Sequence, residues 1–313
     1  MKKGIIGKGI SQQLRQLAII GSMKQRNALA LLLLTSFIWG LSFVAQSVSA
    51  DNIGPFTFNG IRMLIGALVL LPMSYKRIRK AGAEERKGLV KVGLVCGILL
   101  ATASMAQQYG VINSTAGKAG FITSLYIIIV PFLSVVLKKK VGKKIWVSAL
   151  IALAGMYMLC MKEGFSLSKG DAYLVICAFL FALHIMAIDM LARDYDGVSV
   201  SMLQFLFSGI LCSIGMLAFE SPRPESIAAA WLPIIYAGVF SCGIAYTLQV
   251  IGQKYVQPTL ATLALSLESV WAAVGGAVIL SERMSVREAA GCLLVFSAVL
   301  LAQVPVESLF KKK

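Results

Sequence analysis

Charge is scarce in this chain. Asp, Glu, Lys and Arg make up 14% of it, against about 25% in a soluble domain, so a soluble globular fold is excluded. Histidine occurs once, at His184, which rules out the HExxH pair of a zinc enzyme. The pattern GxxxxGK[ST] is missing, so ATP-driven transport by this chain alone has no support. Six cysteines (Cys96, Cys160, Cys177, Cys212, Cys242, Cys292) all fall in apolar stretches and form no CxxC pair. Buried cysteine behaves as a small hydrophobe, which points to free thiols. Strict apolar-polar alternation is also absent, and that excludes a membrane β-barrel.

What fills the chain is apolar sequence: 58% hydrophobic residues and a mean hydropathy of +0.80. About 20 apolar residues cross a bilayer as a helix. Ten such segments are predicted, at 27–48, 56–75, 89–109, 115–137, 145–161, 171–192, 199–219, 231–253, 258–281 and 287–305. The expectation is an all-α integral membrane protein. Its net charge of +16 does not indicate a nucleic-acid partner, because most basic residues lie in short loops between spans. Of the 30 Lys and Arg, 22 fall in the tails and loops on the amino-terminal side and five on the other. By the positive-inside rule both termini are cytoplasmic. Residues 1–26 read as a cytoplasmic basic tail and 306–313 as a second one. No cleavage site follows a short apolar core, so the first span reads as retained. Met23 is an alternative start to Met1, since Met23-Lys24-Gln25-Arg26 directly precedes the first span.

A shift of 142 residues lays Phe37 on Phe179, Leu41 on Leu183, Ala45 on Ala187, Gln107 on Gln249 and Gly110 on Gly252. Ser124-Leu125 falls on Ser266-Leu267 without a gap. The chain therefore reads as two repeats, 27–161 and 171–305, of five spans each. An odd number of spans turns the second copy upside down, the plan of many secondary transporters. Small residues let helices approach in lipid: Gly93 and Gly97, Ala116-Gly117 with Ala119-Gly120, and Gly275-Gly276 are expected at close contacts. Pro131 is expected to kink the fourth span.

Ionisable groups inside a span are costly and usually face a cavity or a partner. Glu268 falls mid-span, beyond the reach of either surface, with Trp271 and Ala272 on its helical face. Desolvation there disfavours the charged form. Its expected roles are binding a substrate ammonium or carrying a coupling proton; the structural alternative is a protonated carboxyl bonded to a neighbouring helix. Tyr126 is its repeat partner. Arg62 and Lys118, in the outer third of their spans, either hold an anionic group or snorkel outward. Trp39, Ser42, Phe43 and Gln46 share a face of span 1 suited to a ligand. His184 is either a satisfied buried residue or a proton relay. Asp189 reads as solvated at the membrane interface. Gln107 and Gln249 either line opposite mouths of a pathway or bond between helices. The candidate substrate-binding set is thus Trp39, Ser42, Gln46, Arg62, Lys118, Tyr126, Glu268 and Trp271, with Glu268 and His184 for proton coupling. No metal site or cofactor is expected.

Several motifs resemble the drug/metabolite transporter superfamily, in particular its EamA-type family of two-repeat proteins. They are Phe37-Ile38-Trp39-Gly40 with Ser42, Phe58 to Arg62, Thr115 to Pro131, Leu267-Glu268-Ser269 and Ser281-Glu282-Arg283-Met284-Ser285. Members often carry Leu-Glu-Pro and Gly-Glu-Arg in the second copy, where this chain has Ser269 and Ser281. Lys140-Val141 stands where Glu-Arg is common in the first copy. The resemblance covers residues 27 to 305. It implies a ten-span carrier of the bacterial inner membrane, exporting amino acids or related metabolites by alternating access through a central cavity, with the lipid bilayer and a small-molecule substrate as its partners. The competing readings are a non-transporting sensor or scaffold and an intramembrane enzyme. One histidine and one midplane acid are too few for most intramembrane chemistries, so no enzyme is expected. Substrate, direction, coupling ion and oligomeric state are not written in the sequence.

Overall fold

The computed structural model describes residues 3–50, 52–113, 116–160, 169–279 and 284–303, and among them every regular element is helical. In chain order these are α1 (Lys3–Ala50), α2 (Pro55–Lys80), α3 (Ala83–Ile112), α4 (Ala116–Thr123), α5 (Tyr126–Val136), α6 (Lys143–Cys160), α7 (Lys169–Leu191) and α8 (Gly197–Phe219). A short α9 (Pro224–Ala229) and α10 (Trp231–Ile235) lead into a π-helical stretch, Tyr236–Tyr246, continued by α11 (Thr247–Gln253). The chain then forms α12 (Pro258–Leu265), α13 (Glu268–Ile279) and α14 (Val286–Gln303). Eight described helical stretches are long and apolar enough to cross a membrane. α6 and the α12–α13 pair occupy the positions expected of the fifth and ninth spans.

Polarity is distributed as a lipid solvent requires. Leu217, Phe219, Val278 and Val286 are more than three-quarters exposed, while Arg62, His184, Asp189, Gln204 and Glu268 are buried. In hydrocarbon the outward face gains nothing by being polar, and every buried polar group needs an internal partner or a cavity.

α2 and α8 pack against each other along their length and run antiparallel. At one end the Glu220 carboxylate, at the C-cap of α8, accepts from Phe56 N (2.8 Å), Thr57 N (2.8 Å) and Thr57 Oγ1 (2.6 Å). It thereby satisfies the open amides at the start of α2, whose N-cap residue is the side-chain-less Gly54. At the other end Arg77 pairs with Asp196, the residue whose carboxylate also caps α8 through Ser199 N (2.8 Å). Beside this pair, Lys254 Nζ donates to the Tyr195 carbonyl. Partial burial pushes its pKa down from the ordinary lysine value, against the opposing pull of Asp196 and Asp194.

The close contacts expected at Gly93, Gly97 and Gly275 are met, whereas a Cβ on Gly120 would meet nothing within 4 Å. A Cβ on Gly93 would fall 2.4 Å from Leu203 Cβ, and one on Gly97 would fall 2.9 Å from Phe207 Cβ, so this GxxxG seats α3 on α8. Gly275 packs on Leu41. The interruption of span 4 lies at Ser124-Leu125, ahead of Pro131, which sits inside α5. There the bonds tighten to an i→i−3 pattern: Leu125 N to Ile122 O (3.1 Å) and Ile127 N to Ser124 O (3.0 Å). Span 9 is interrupted at the matching place, Ser266-Leu267. There Ser266 Oγ donates to Leu263 O (2.8 Å) and Ser269 Oγ to Ser266 O (2.8 Å). Serine hydroxyls that bond backward compete with the helical ladder and bend it. The backbone of residues 3–23 is helical and continuous with α1, and the membrane-length stretch begins at Lys24. Ala116-Gly117 and Gly276 fall where side-chain surroundings lie outside the described residues.

α6 and α14 meet at Gly155 and Gly291, where a Cβ on either would come within 2.8 and 2.6 Å of the other's carbonyl oxygen. Gly291→Ala is expected to lower the thermal midpoint of the detergent-purified protein, by an overpacking cost of about 1–3 kcal/mol. Gly82→Ala, whose Cβ meets nothing within 4 Å, is expected to leave it unchanged. Fluorescence-detected melting of the two variants measures both.

Candidate functional site: a polar cavity between the two halves

α1, α2, α3, the end of α4, the start of α5, α7, the π-helical stretch, α11 and the start of α13 line one partly open cavity. α1 supplies Trp39, Ser42, Phe43 and Gln46, the four residues predicted to share a face. α2 supplies Arg62, α5 Tyr126 and α13 Glu268. Six of the eight predicted substrate-binding residues are therefore brought together. Trp271 is not in the lining. It lies against Gly40 and stacks edge-on with Phe37, ring centroids 5.2 Å apart. Lys118 belongs to α4 by its backbone, and its side chain lies outside the described residues. Gln107 and Gln249, placed at opposite mouths as one expectation, both face this single cavity.

The interruptions of the two half-helix pairs decide how the acid is held. Glu268 opens α13 and Tyr126 opens α5, so each side chain leaves its helix at the amino end, where the macrodipole favours negative charge. Tyr126 Oη donates to Glu268 Oε1 at 2.8 Å. The two residues are 142 positions apart, equivalents under the repeat, bonded directly to each other. Both are buried, with 3% and 4% of their surface exposed.

Arg62 is 3% exposed and, among the described residues, has no ion-pair partner. Its Nε donates to Asn59 Oδ1 at 2.9 Å, and its guanidinium carbon lies 5.1 Å from the centre of the Phe58 ring. The cavity thus carries a cation and an acid that are not joined. Around them several buried polar atoms have no protein partner: Trp39 Nε1, Ser42 Oγ, Gln46 Oε1 and Gln249 Oε1. Unpartnered buried polar atoms are costly, and lining a cavity is the circumstance in which a ligand or water relieves them. Aromatic rings form much of the remaining wall: Phe43, Phe181, Tyr126 and Tyr246, the last tilted at 57° to Trp39 with ring centroids 4.5 Å apart.

Residues of the π-helical stretch, Ser241 and Tyr246, also line the space, as does Thr123 at the end of α4. Nothing in their apolar surroundings singled them out in the sequence. The stretch is tied to α1 by Tyr236 Oη to Ile38 O (3.0 Å) and Thr35 Oγ1 to Ala245 O (3.1 Å). His184 sits behind Tyr246, fully buried, its Nε2 3.0 Å from Gln204 Oε1; it is not among the lining residues. Asp189 corrects the expectation of interfacial solvation. Its side chain is 3% exposed and bridges Lys139 (2.6 Å) and Arg193 (2.7 Å), because the basic loop after α5 folds back onto α7. Among the described residues, no three His, Cys, Asp or Glu side chains converge as metal ligands would.

Apolar outward faces, buried polar groups and a cavity between packed helices define a multi-pass membrane protein. The chain belongs to the EamA-like transporter family, whose model matches residues 26–161 and again 168–303. It is 29% identical over 277 residues to an uncharacterized transporter of Archaeoglobus fulgidus, covering 88% of this chain and 85% of that one. It is 24% identical to an uncharacterized transporter of Clostridium kluyveri, covering 84% and 89%. The uncharacterized transporter YoaV of Bacillus subtilis is 21% identical, with 85% and 93% covered. One solved crystal structure superposes with a TM-score of 0.73 at 18% identity, covering 91% of this chain and 99% of that one. That likeness is one of fold.

Removing either member of the Tyr126–Glu268 bond tests its strength. In a double-mutant cycle of Tyr126→Phe and Glu268→Gln, unfolding of the purified protein is expected to show a coupling of about 1 kcal/mol or more. Additive effects of the two substitutions would show that the bond contributes nothing.

Proposed function

We propose that this chain is a secondary carrier that exports a small zwitterionic metabolite, such as an amino acid, by alternating access through the central cavity. One observation carries the reading: Arg62 and Glu268 line the same space without pairing. A ligand with one negative and one positive group answers both charges at once. In this reading Arg62 faces the substrate's carboxylate, and Glu268 faces its ammonium or exchanges a coupling proton. Trp39, Ser42, Gln46 and Tyr126 complete the site. Lys118 stays a candidate from the sequence alone, Trp271 lies outside the lining, and His184 is a second proton-coupling candidate.

Ten spans in two inverted repeats fit this scheme. α2 and α8 are equivalents under the 142-residue shift, and their antiparallel clamp at Glu220 and Asp196 is what inversion requires. The paired interruptions at Ser124-Leu125 and Ser266-Leu267 support it as well. Discontinuous helices meeting near the midplane are a recurring way to build a transport site. The basic loops support cytoplasmic termini, and the family resemblance supports a bacterial inner membrane. Family and cavity together favour a carrier over an enzyme.

Reconstituted protein is expected to catalyse counterflow of at least one radiolabelled amino acid into preloaded proteoliposomes. Glu268→Gln is expected to abolish the dependence of that flux on an imposed pH gradient. A wild-type protein that moves none of the twenty amino acids in either direction would refute the substrate class and favour the sensor or scaffold reading. Wild-type flux that is unchanged in Glu268→Gln would remove the coupling role alone.

A further inference from the structure

Asn59 has no part in the assignments above, yet it is the side chain on which Arg62 depends. It is fully buried on α2, one helical turn before Arg62. Its Oδ1 accepts from Arg62 Nε at 2.9 Å. Its own Nδ2 is fixed by the Pro55 carbonyl at 2.9 Å, with the Ser104 carbonyl of α3 at 3.4 Å. The amide orientation follows from this pattern, since only the Nδ2 end can donate to two carbonyls. Oδ1 is thereby aimed at the guanidinium.

The consequence is geometric. A guanidinium bound through Nε on one side has its terminal N–H groups on the far edge, the edge that forms a fork to a carboxylate. The Phe58 ring, 5.1 Å from the guanidinium carbon, backs the planar group from one side. Among the described residues, no acceptor other than Asn59 is hydrogen-bonded to this guanidinium. An arginine on a flexible stem would lose side-chain entropy on capturing a ligand. Here part of that ordering is already made by Asn59. A neutral amide also does so without cancelling the positive charge, which a carboxylate at position 59 would do.

We infer that Asn59 is a positioning residue that presents the terminal nitrogens of Arg62 as a two-pronged site for a substrate carboxylate. The inference rests on the carrier reading of the cavity, and it makes selectivity for a carboxylate over its uncharged analogues a property of the Asn59–Arg62 pair.

Binding to the full-length protein in detergent, by titration calorimetry, tests it. The ligands are the twenty amino acids and, for each that binds, its carboxamide and its decarboxylated amine. Wild type is expected to prefer the acid over both analogues. Asn59→Ala is expected to weaken the acid about tenfold, the loss of one ordinary hydrogen bond, and to leave amide and amine unchanged. Asn59→Asp keeps the shape and the acceptor but places a negative charge on the guanidinium. It is expected to abolish the preference for the acid, and to melt lower than wild type as Asn59→Ala does, since both lose the Nδ2 donor to the Pro55 and Ser104 carbonyls. If the variants weaken all three ligand types by the same factor, or if Asn59→Asp keeps the wild-type preference, Asn59 is only a packing residue and the inference fails. If wild type binds no amino acid, the carrier reading of the cavity fails with it.

Discussion

The hydrogen bond from Tyr126 to Glu268 joins the two copies of the repeat at equivalent positions, one of which holds a carboxyl buried deep among the helices. Several features of the structure follow from that burial. A carboxyl in hydrocarbon is tolerated when it has a donor, a favourable dipole and access to a polar space. Tyr126 is the donor. The interruption at Ser266-Leu267 makes Glu268 the first residue of α13 and supplies the dipole. The cavity supplies the space. Moving the helix start by one turn in either copy would separate the pair or bury the acid against apolar side chains.

Around this centre the helices are held by a scaffold that is nearly symmetric and a lining that is not. α2 and α8 clamp each other at both ends, yet the two clamps differ. Glu220 reaches across to cap its partner helix, while Asp196 caps its own helix and pairs with Arg77. The same contrast appears within the membrane. Arg62 is answered in the other copy by Gln204, which is spent on His184 rather than on the cavity. Close approach of backbones at Gly155 and Gly291 and at Gly93 and Gly97 costs little specificity in substrate. It fixes where the few polar groups must stand, and the proposed carboxylate fork at Asn59 and Arg62 depends on that placement.

Much of this was legible in the residues alone. The face of span 1 was read correctly because helical periodicity carries Trp39, Ser42, Phe43 and Gln46 together whatever the helix packs against. Arg62 and Glu268 were found because an ionisable group in an apolar run is expensive and therefore stands out, and Tyr126 because the repeat pairs it with Glu268. Neither helix interruption was legible, because no breaker stands at Ser124-Leu125 or Ser266-Leu267. In the second copy it goes with serine carbonyl bonds, which depend on a χ1 choice that no sequence pattern displays. Asp189 was misread for a related reason. Its distance from the span end suggested water, and only the folding back of Lys139 supplied the partners that allow it to be buried. Ser241 and Tyr246 gave no signal, and Asn59 and Thr123 entered only within the motifs Phe58 to Arg62 and Thr115 to Pro131, since a neutral side chain in a span is not costly enough to be conspicuous by itself.

The sequence by itself determined the membrane as solvent, the twofold repetition, the bias of charge between the two sides and the identity of the buried ionisable residues. Each of these is a property of composition or of spacing along one helix, where the physics is local. Tertiary structure alone decided that Gln107 and Gln249 share one cavity, that Trp271 lies outside it, that Tyr126 meets Glu268 and that Arg62 meets Asn59 rather than an acid. These outcomes depend on the rotation of each helix about its axis and on where it is interrupted. Both are set by contacts between segments about 140 residues apart, and no single helix records them.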